Sequence, residues 1–103
     1  MTNLIKIKRL IIRGKYAFTA KALNEMDADG LIETDVLESI LNAQFVRTKK
    51  SSSRFRKSEK EKVYIIESFT YSGTLIYTKG VIRKDGNDEK FYLLISSKRS
   101  ISS

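Results

Sequence analysis

The fold is decided by residues 63–98, VYIIESFTYSGTLIYTKGVIRKDGNDEKFYLLISSK. Three runs within this stretch are rich in Ile, Val, Tyr and Phe, which favour β-strands: residues 63–71, 74–83 and 90–98. The runs are separated by two turn signals, Ser72-Gly73 and the polar residues 84–88. Because both connections are short, we predict three antiparallel strands joined as hairpins.

The chain before residue 47 is typical of three short helices. Apolar residues recur at helical spacing over residues 3–13, and Gly14 then suits the position that ends a helix. Thr19 and Thr34 are positioned to cap a second and a third helix. Helices followed by strands predict an α+β domain, with N-terminal helices packed on one face of a three-stranded or slightly larger antiparallel sheet. We expect a single domain over residues 1–103.

Alternation along the strands predicts which side chains face the helices. In the simplest register, the helix-facing residues are Phe91, Leu93, Ile95, Ile76 and Ile82. The opposite, more open face then carries aromatic and cationic side chains, namely Tyr77, Lys79, Arg83, Tyr92 and Lys98. Such a face suits RNA, because Lys and Arg neutralise phosphates and a Tyr ring stacks on an unpaired base.

The net charge of +8 is unevenly distributed along the chain. Residues 1–21 carry six bases and no acid, residues 22–46 six acids and no base, and residues 47–62 eight bases and two acids. The basic stretch 47–62 has one large apolar residue, so we expect a mobile basic loop there, and a frayed tail over 99–103. The acidic stretch either neutralises the basic ones within the molecule or lies on the side remote from a nucleic acid.

Missing residue types exclude most hydrolytic mechanisms. The chain has no His and no Cys, so it offers no Ser-His-Asp triad, no thiol nucleophile and no thiolate metal site. RNA supplies its own nucleophile, the 2′-hydroxyl, and Lys and Tyr can move the protons and stabilise the phosphorane. We therefore expect no cofactor and no metal. The apolar runs are too short to span a membrane, so we expect no membrane partner and a cytoplasmic location.

Four short motifs resemble those of a known family. They are FTAKAL at 18–23, KKSS at 49–52, LIYTK at 75–79 and LISSK at 94–98. With the order of the elements, they resemble the motility quorum-sensing regulator (MqsR) toxins, bacterial type II toxins within the broader RelE-like fold. The resemblance implies an mRNA interferase, an endoribonuclease that cleaves mRNA, free or on the ribosome, and that a cognate antitoxin protein keeps inactive.

The resemblance also implies a catalytic set. By position, Lys98 matches the family's C-terminal Lys, Tyr77 matches its Tyr, and Lys49 or Lys50 matches the Lys after its last helix. The family's polar residue on the first strand is Gln, and that position falls near Ile66 or Glu67 here. The candidate catalytic residues are therefore Tyr77, Lys98, Lys50 and Glu67. The candidate RNA-binding residues come from the loop and the strands: Lys49, Lys79, Arg83, Arg54, Arg56, Tyr92 and Arg99.

Two other functions fit the same residues. The basic sheet face suits a non-catalytic RNA- or DNA-binding module, and it equally suits a small interaction domain that docks an acidic peptide. Tyr and Lys are also common on exposed strands that have no function, since both side chains suit a half-buried pleated surface. Binding of RNA without cleavage would favour the first alternative, and indifference to RNA would favour the second.

Overall fold

The computed structural model describes residues 2–50 and 61–100. Within these ranges the helices are α1 (Asn3–Ile12), α2 (Ala20–Ala28) and α3 (Glu33–Asn42). The strands are β1 (Tyr16–Phe18), β2 (Arg47–Lys50), β3 (Lys62–Phe69), β4 (Leu75–Lys84) and β5 (Lys90–Arg99). They form one sheet in the order β1-β5-β4-β3-β2, in which β1 runs parallel to β5 and the other pairs are antiparallel. The α+β class is confirmed, and β1 and β2 extend the three expected strands at the two edges.

Local capping sets where the second and third helices begin. The Thr19 hydroxyl accepts the N–H of Ala22 at 3.1 Å, so α2 begins at the predicted cap. The prediction of Thr34 as the third cap is wrong. The cap position is Ile32, whose side chain cannot accept a hydrogen bond; instead the carboxylate of Asp35, in the first turn, accepts the Ile32 N–H at 3.0 Å. A carboxylate in the first turn is also favoured by the helix dipole.

A β-bulge between β4 and β5 sets the facing of β5. Lys79 lies opposite Ser96, but the next residue, Gly80, lies opposite Leu94. Ile95 therefore has no partner on β4. An extra residue of this kind reverses the inside–outside alternation of a strand beyond it.

The predicted facing of β5 is consequently wrong before the bulge. Tyr92 is fully buried in the core beneath the helices, and it cannot belong to an open RNA-binding face. Phe91 and Leu93 lie on the open face, opposite Arg83 and Val81 of β4. Ile95 packs on the open face as well. Beyond the bulge, Lys98 lies on the open face, as predicted.

All three helices contribute to one core, on the face of the sheet opposite to Tyr77 and Lys98. Ile7 of α1 and Ile40 of α3 are fully buried there against Ile66. Ile76 and Ile82 belong to the same face, as predicted. The helices thus cover one face, and the smaller apolar cluster on the other face lies among the strands alone: Val63, Ile65 and Val81, with Tyr77, Leu93 and Ile95.

The predicted loop over 47–62 is wrong at both of its ends. Residues Arg47–Lys50 form the edge strand β2, which pairs with the start of β3 at Lys62. Basic side chains on an edge strand are favourable because they discourage pairing with other chains. The remainder of the predicted loop, with Arg54 and Arg56, lies outside the described residues.

The predicted frayed tail over 99–103 is wrong at residues 99 and 100. Arg99 is the last residue of β5, and the N–H of Ser100 donates to the carbonyl of Leu75 at 2.9 Å. Residues 101–103 lie outside the described residues. The C-terminal strand is therefore hydrogen-bonded for two residues beyond Lys98, which fixes the backbone of Lys98 on both sides.

Helix α2 covers the part of the β5 edge that β1 does not reach. β1 pairs only with residues 92–94 of β5. Beyond them, polar groups of β5 bind side chains of α2 and its caps: the Ile95 carbonyl accepts from Thr19 at 3.1 Å, and the N–H groups of Ser97 and Arg99 donate to Glu25 and Asp29 at 3.2 and 2.8 Å. These contacts satisfy backbone groups that would otherwise lie at an open edge.

The ring of Tyr92 lies directly over Gly80, beside the bulge. A Cβ atom added at Gly80 would lie 2.6 Å from Tyr92 Oη, well inside van der Waals contact. The Tyr92 hydroxyl is buried and has no hydrogen-bond partner in the described part of the protein. Position 80 therefore requires glycine, because the Tyr92 ring of the neighbouring strand β5 occupies the space that any larger side chain would need.

We predict that Gly80→Ala lowers the free energy of unfolding by about 1–3 kcal/mol, because the added methyl group overpacks the space that the Tyr92 ring fills. Urea unfolding followed by circular dichroism measures the change. Gly86→Ala is the matched control: no atom lies within 4 Å of its added Cβ, so it should change stability by less than about 0.5 kcal/mol. Equal stability of the two variants would contradict the steric role of Gly80.

We predict that Tyr92→Phe keeps or raises stability, by up to about 1 kcal/mol, because it removes a buried hydroxyl that lacks a partner. Burial also raises the pKa of Tyr92 above its ordinary value. The unfolded chain therefore ionises first, and the wild type loses stability as pH rises above about 10.

Tyr92→Phe should lose less stability than the wild type over this alkaline range, as measured by urea unfolding at pH 8 to 11. Tyr71→Phe, at an exposed position, is the control and should follow the wild type. A Tyr92→Phe protein with the alkaline loss of the wild type would exclude Tyr92 as its source.

Candidate nucleic-acid interface

Strand pairing aligns three of the candidate catalytic residues in one row across the open face. Glu67 of β3 lies opposite Tyr77 of β4, and Tyr77 lies opposite Lys98 of β5. Directly opposed residues share a face and have neighbouring side chains. Lys79 follows on the same face in the next row, between Ile65 and Ser96.

Tyr77 and Lys98 are in direct contact. The Lys98 Nζ lies 5.5 Å from the centroid of the Tyr77 ring, within the range of a cation–π interaction. Tyr77 is partly buried, whereas Lys98 is exposed. The ring therefore holds an ammonium group beside a phenol at a surface that solvent and ligands can reach.

Lys79 lies among other cations. Burial lowers its pKa from the ordinary value, and nearby positive charges lower it further, whereas the carboxylate of Glu25 raises it. The cations that lower the pKa of Lys79 are Lys21, Lys49 and Lys98, and Lys21 has the largest effect of the three. We call Tyr77, Lys79, Lys98, Lys49 and Lys21 the lysine–tyrosine cluster. A bound anion would relieve the repulsion within it.

Glu67 shares the row of Tyr77 but is engaged with other groups. Its carboxylate accepts a hydrogen bond from Arg47 Nη2 at 2.9 Å and another from Ser100 Oγ at 2.6 Å. The ion pair joins the edge strand β2 to β3 at the border of the cluster. These contacts suit a residue that positions the strands around Tyr77.

Lys49 and Lys50 lie on opposite faces of β2. Lys49 is opposite Val63, on the face of Tyr77, and Lys50 is opposite Lys62 on the other face. The influence of Lys49 on the pKa of Lys79 agrees with this placement. Of the two candidates for the first catalytic lysine, the structure brings Lys49 to the cluster and leaves Lys50 apart from it.

The remaining candidates lie away from the cluster. Arg83 is on the open face, but it is six residues along β4 from Tyr77, or roughly 20 Å, and it makes a two-pronged ion pair with Glu61 at 3.2 and 3.3 Å. Arg99 lies beyond Lys98 and donates from Nε to the carbonyl of Asp29 at 3.0 Å. Tyr92 is in the core, and Arg54 and Arg56 are outside the described residues.

Sequence reasoning missed three residues around the cluster. Lys21 and Glu25 reach it because α2 lies against the edge of β5, and Arg47 reaches it because residues 47–50 form a strand. Glu25 also accepts a hydrogen bond from Ser96 Oγ at 2.7 Å. No local pattern signals these positions, since each depends on how distant elements pack.

Comparison of the chain with protein-family models, curated proteins and solved structures finds no match. Across residues 2–50 and 61–100, no three Asp or Glu side chains are grouped closely enough to hold a metal ion. None of the three described helices has the length and apolar character needed to cross a bilayer.

We predict that Lys49→Gln raises the pKa of Lys79 towards its ordinary value, because it removes a nearby positive charge. Glu25→Gln should lower the pKa of Lys79 further, because it removes a nearby carboxylate that favours the ammonium. Carbon-13 NMR of methylated lysines, titrated with pH, measures both shifts. Lys62→Gln is the control and should leave the Lys79 titration unchanged. Shifts in the same direction in the first two variants would refute this account of the electrostatics.

Proposed function

We propose that the protein is an endoribonuclease of the RelE-like, MqsR-like toxin type, which cleaves mRNA by attack of the 2′-hydroxyl. The observation that carries the proposal is the contact between Tyr77 and Lys98 beside Lys79 on an open sheet face. These are the residue types that such a reaction uses when no imidazole is present. The motifs LIYTK and LISSK, which place Tyr77 and Lys98, support the same family.

The proposed roles follow from charge and position. Lys49 and Lys79 bind the scissile phosphate and stabilise the extra negative charge of the phosphorane. Because the pKa of Lys79 is lowered, a larger fraction of its side chain is uncharged than in an ordinary lysine, so it also suits removal of the 2′-hydroxyl proton. The ammonium group that results then stabilises the phosphorane. Lys98, held over the Tyr77 ring, gives a proton to the departing 5′-oxygen, and the Tyr77 hydroxyl donates a hydrogen bond that stabilises the phosphorane. The products are a 2′,3′-cyclic phosphate and a 5′-hydroxyl.

The proposed partners are mRNA, free or on the ribosome, and a cognate antitoxin. The antitoxin would inhibit by covering the lysine–tyrosine cluster, and an acidic surface would complement the cluster's charge. Its role follows from the toxin assignment and stands or falls with it.

We predict that Lys98→Ala and Tyr77→Phe each lower the cleavage rate of a single-stranded RNA by about 100-fold or more, the usual contribution of a positioned acid or base. The double variant should lose little more than either single variant, because the two groups act together. Gel analysis of end-labelled RNA measures the rates and identifies the cyclic phosphate.

The matched controls are Lys62→Ala and Tyr71→Phe, which alter an exposed lysine and an exposed tyrosine away from the cluster. Both should cleave at the wild-type rate. If the Lys98 and Tyr77 variants do so too, the assignment is wrong. If the wild type binds RNA with a steep salt dependence but leaves it intact, the protein is instead a non-catalytic RNA-binding module.

A further inference from the structure

A second basic region lies on the helix side of the sheet, where α1 crosses the ends of β4 and β5. A cleft of about 470 Å³ opens there over an apolar floor of Leu10, Tyr64 and Ile82. All its other lining residues are cationic: Lys6, Arg9, Arg13, Arg83, Lys84 and Lys90. No acidic side chain of the described residues lines it. This cleft takes no part in the proposed cleavage reaction.

Helix α1 presents its cations to the cleft in a fixed arrangement. Lys6, Arg9 and Arg13 are spaced by three and four residues, so they lie along one face of the helix. On its neighbouring face, Ile7 and Ile11 are buried in the core. The helix cannot rotate to turn the three cations away from the cleft without exposing that apolar face.

Half of the six cations at the cleft make no ion pair with the described residues. Arg83 is paired with Glu61, and Lys84 with Asp88 across 3.7 Å. Lys6, Arg13 and Lys90 make no ion pair with any of the described residues. Like charges that converge on one concave surface raise the local potential and attract polyanions.

We propose that this cleft is a second RNA-binding site, which holds backbone phosphates of the strand that the lysine–tyrosine cluster cleaves. The identification of RNA rests on the proposed function. Arg83 connects the two regions, because it lies on the open face with Tyr77 and also lines the cleft. Phosphates bound at the cleft are therefore roughly 20 Å along the strand direction from Tyr77.

RNA fits the cleft better than an acidic protein segment does. Arg13 makes no ion pair with the described residues, and its planar guanidinium group can donate two parallel hydrogen bonds to phosphate oxygens. The apolar floor also offers a surface against which a base can pack. A polyanion long enough to use both basic regions explains why positive charge lies on both faces of the sheet and towards both ends of β4 and β5.

The test uses Lys6→Gln combined with Arg13→Gln in the full-length protein. The probe is a fluorescent single-stranded oligoribonucleotide with 2′-O-methyl groups, which cannot be cleaved by 2′-attack. Loss of two phosphate contacts should raise the Kd about tenfold near physiological salt and should reduce the slope of log Kd against log salt by about 1.4. On unmodified RNA, the same variant should raise KM and leave kcat unchanged.

The matched control is Lys15→Gln combined with Lys62→Gln, which removes the same charge from two residues outside the cleft. It should change the Kd less than about twofold. The conservative pair Lys6→Arg and Arg13→Lys should restore wild-type binding. Thermal unfolding checks that all variants are folded, which the exposure of both substituted side chains favours.

Three outcomes would overturn the inference. The first is an equal Kd for the cleft variant and the wild type, and the second is an equal loss in the cleft and control variants. The third is unchanged RNA binding with lost binding of polyglutamate, which would assign the cleft to an acidic protein segment. If the wild type cleaves RNA and the cleft variant binds RNA normally, only the proposal of a second binding site is refuted.

If the wild type does not cleave RNA but needs Lys6 and Arg13 to bind it, only the proposed nuclease activity is refuted.

Discussion

The contact of Tyr92 with Gly80 is the constraint on which the sheet and its open face depend. The ring occupies the space where a side chain at position 80 would lie, immediately beside the bulge at Ile95. In a regular strand, residues 92 and 98 would face the same side. The extra residue allows Tyr92 to be buried under the helices while Lys98 lies beside Tyr77 on the other face.

The sequence predicts the parts of this fold that depend on neighbouring residues. The three central strands, their turns and the cap at Thr19 all follow from local composition. Strand β1 has three residues and pairs with a strand more than 70 residues away, so no local pattern marks it. β2 reads Arg-Thr-Lys-Lys, without an apolar side chain, and resembles a loop.

The prediction of which β5 side chains face the helices is wrong because both faces of the strand are apolar near residues 91–95. Alternation identifies a buried face only when the other face is polar. Gly80 is a sequence signal for the bulge, since a glycine inside a strand often marks a bulge or a close approach of another group. For the site, alternation predicts Tyr77 and Lys98 on one face, but only the bulge places them directly opposite each other. Lys21 joins them only through the packing of α2 against β5.

The acidic stretch 22–46 explains how the basic surfaces remain uncompensated. In the described residues, none of its six acids forms an ion pair with a base, and four of them accept backbone N–H groups instead. These four are Glu25, Asp29, Asp35 and Glu38. Their negative charge is used to hold helices and strand edges together. Cations on both sides of the sheet therefore have no ion-pair partner in the acidic stretch, and a polyanion that reaches both sides would neutralise them.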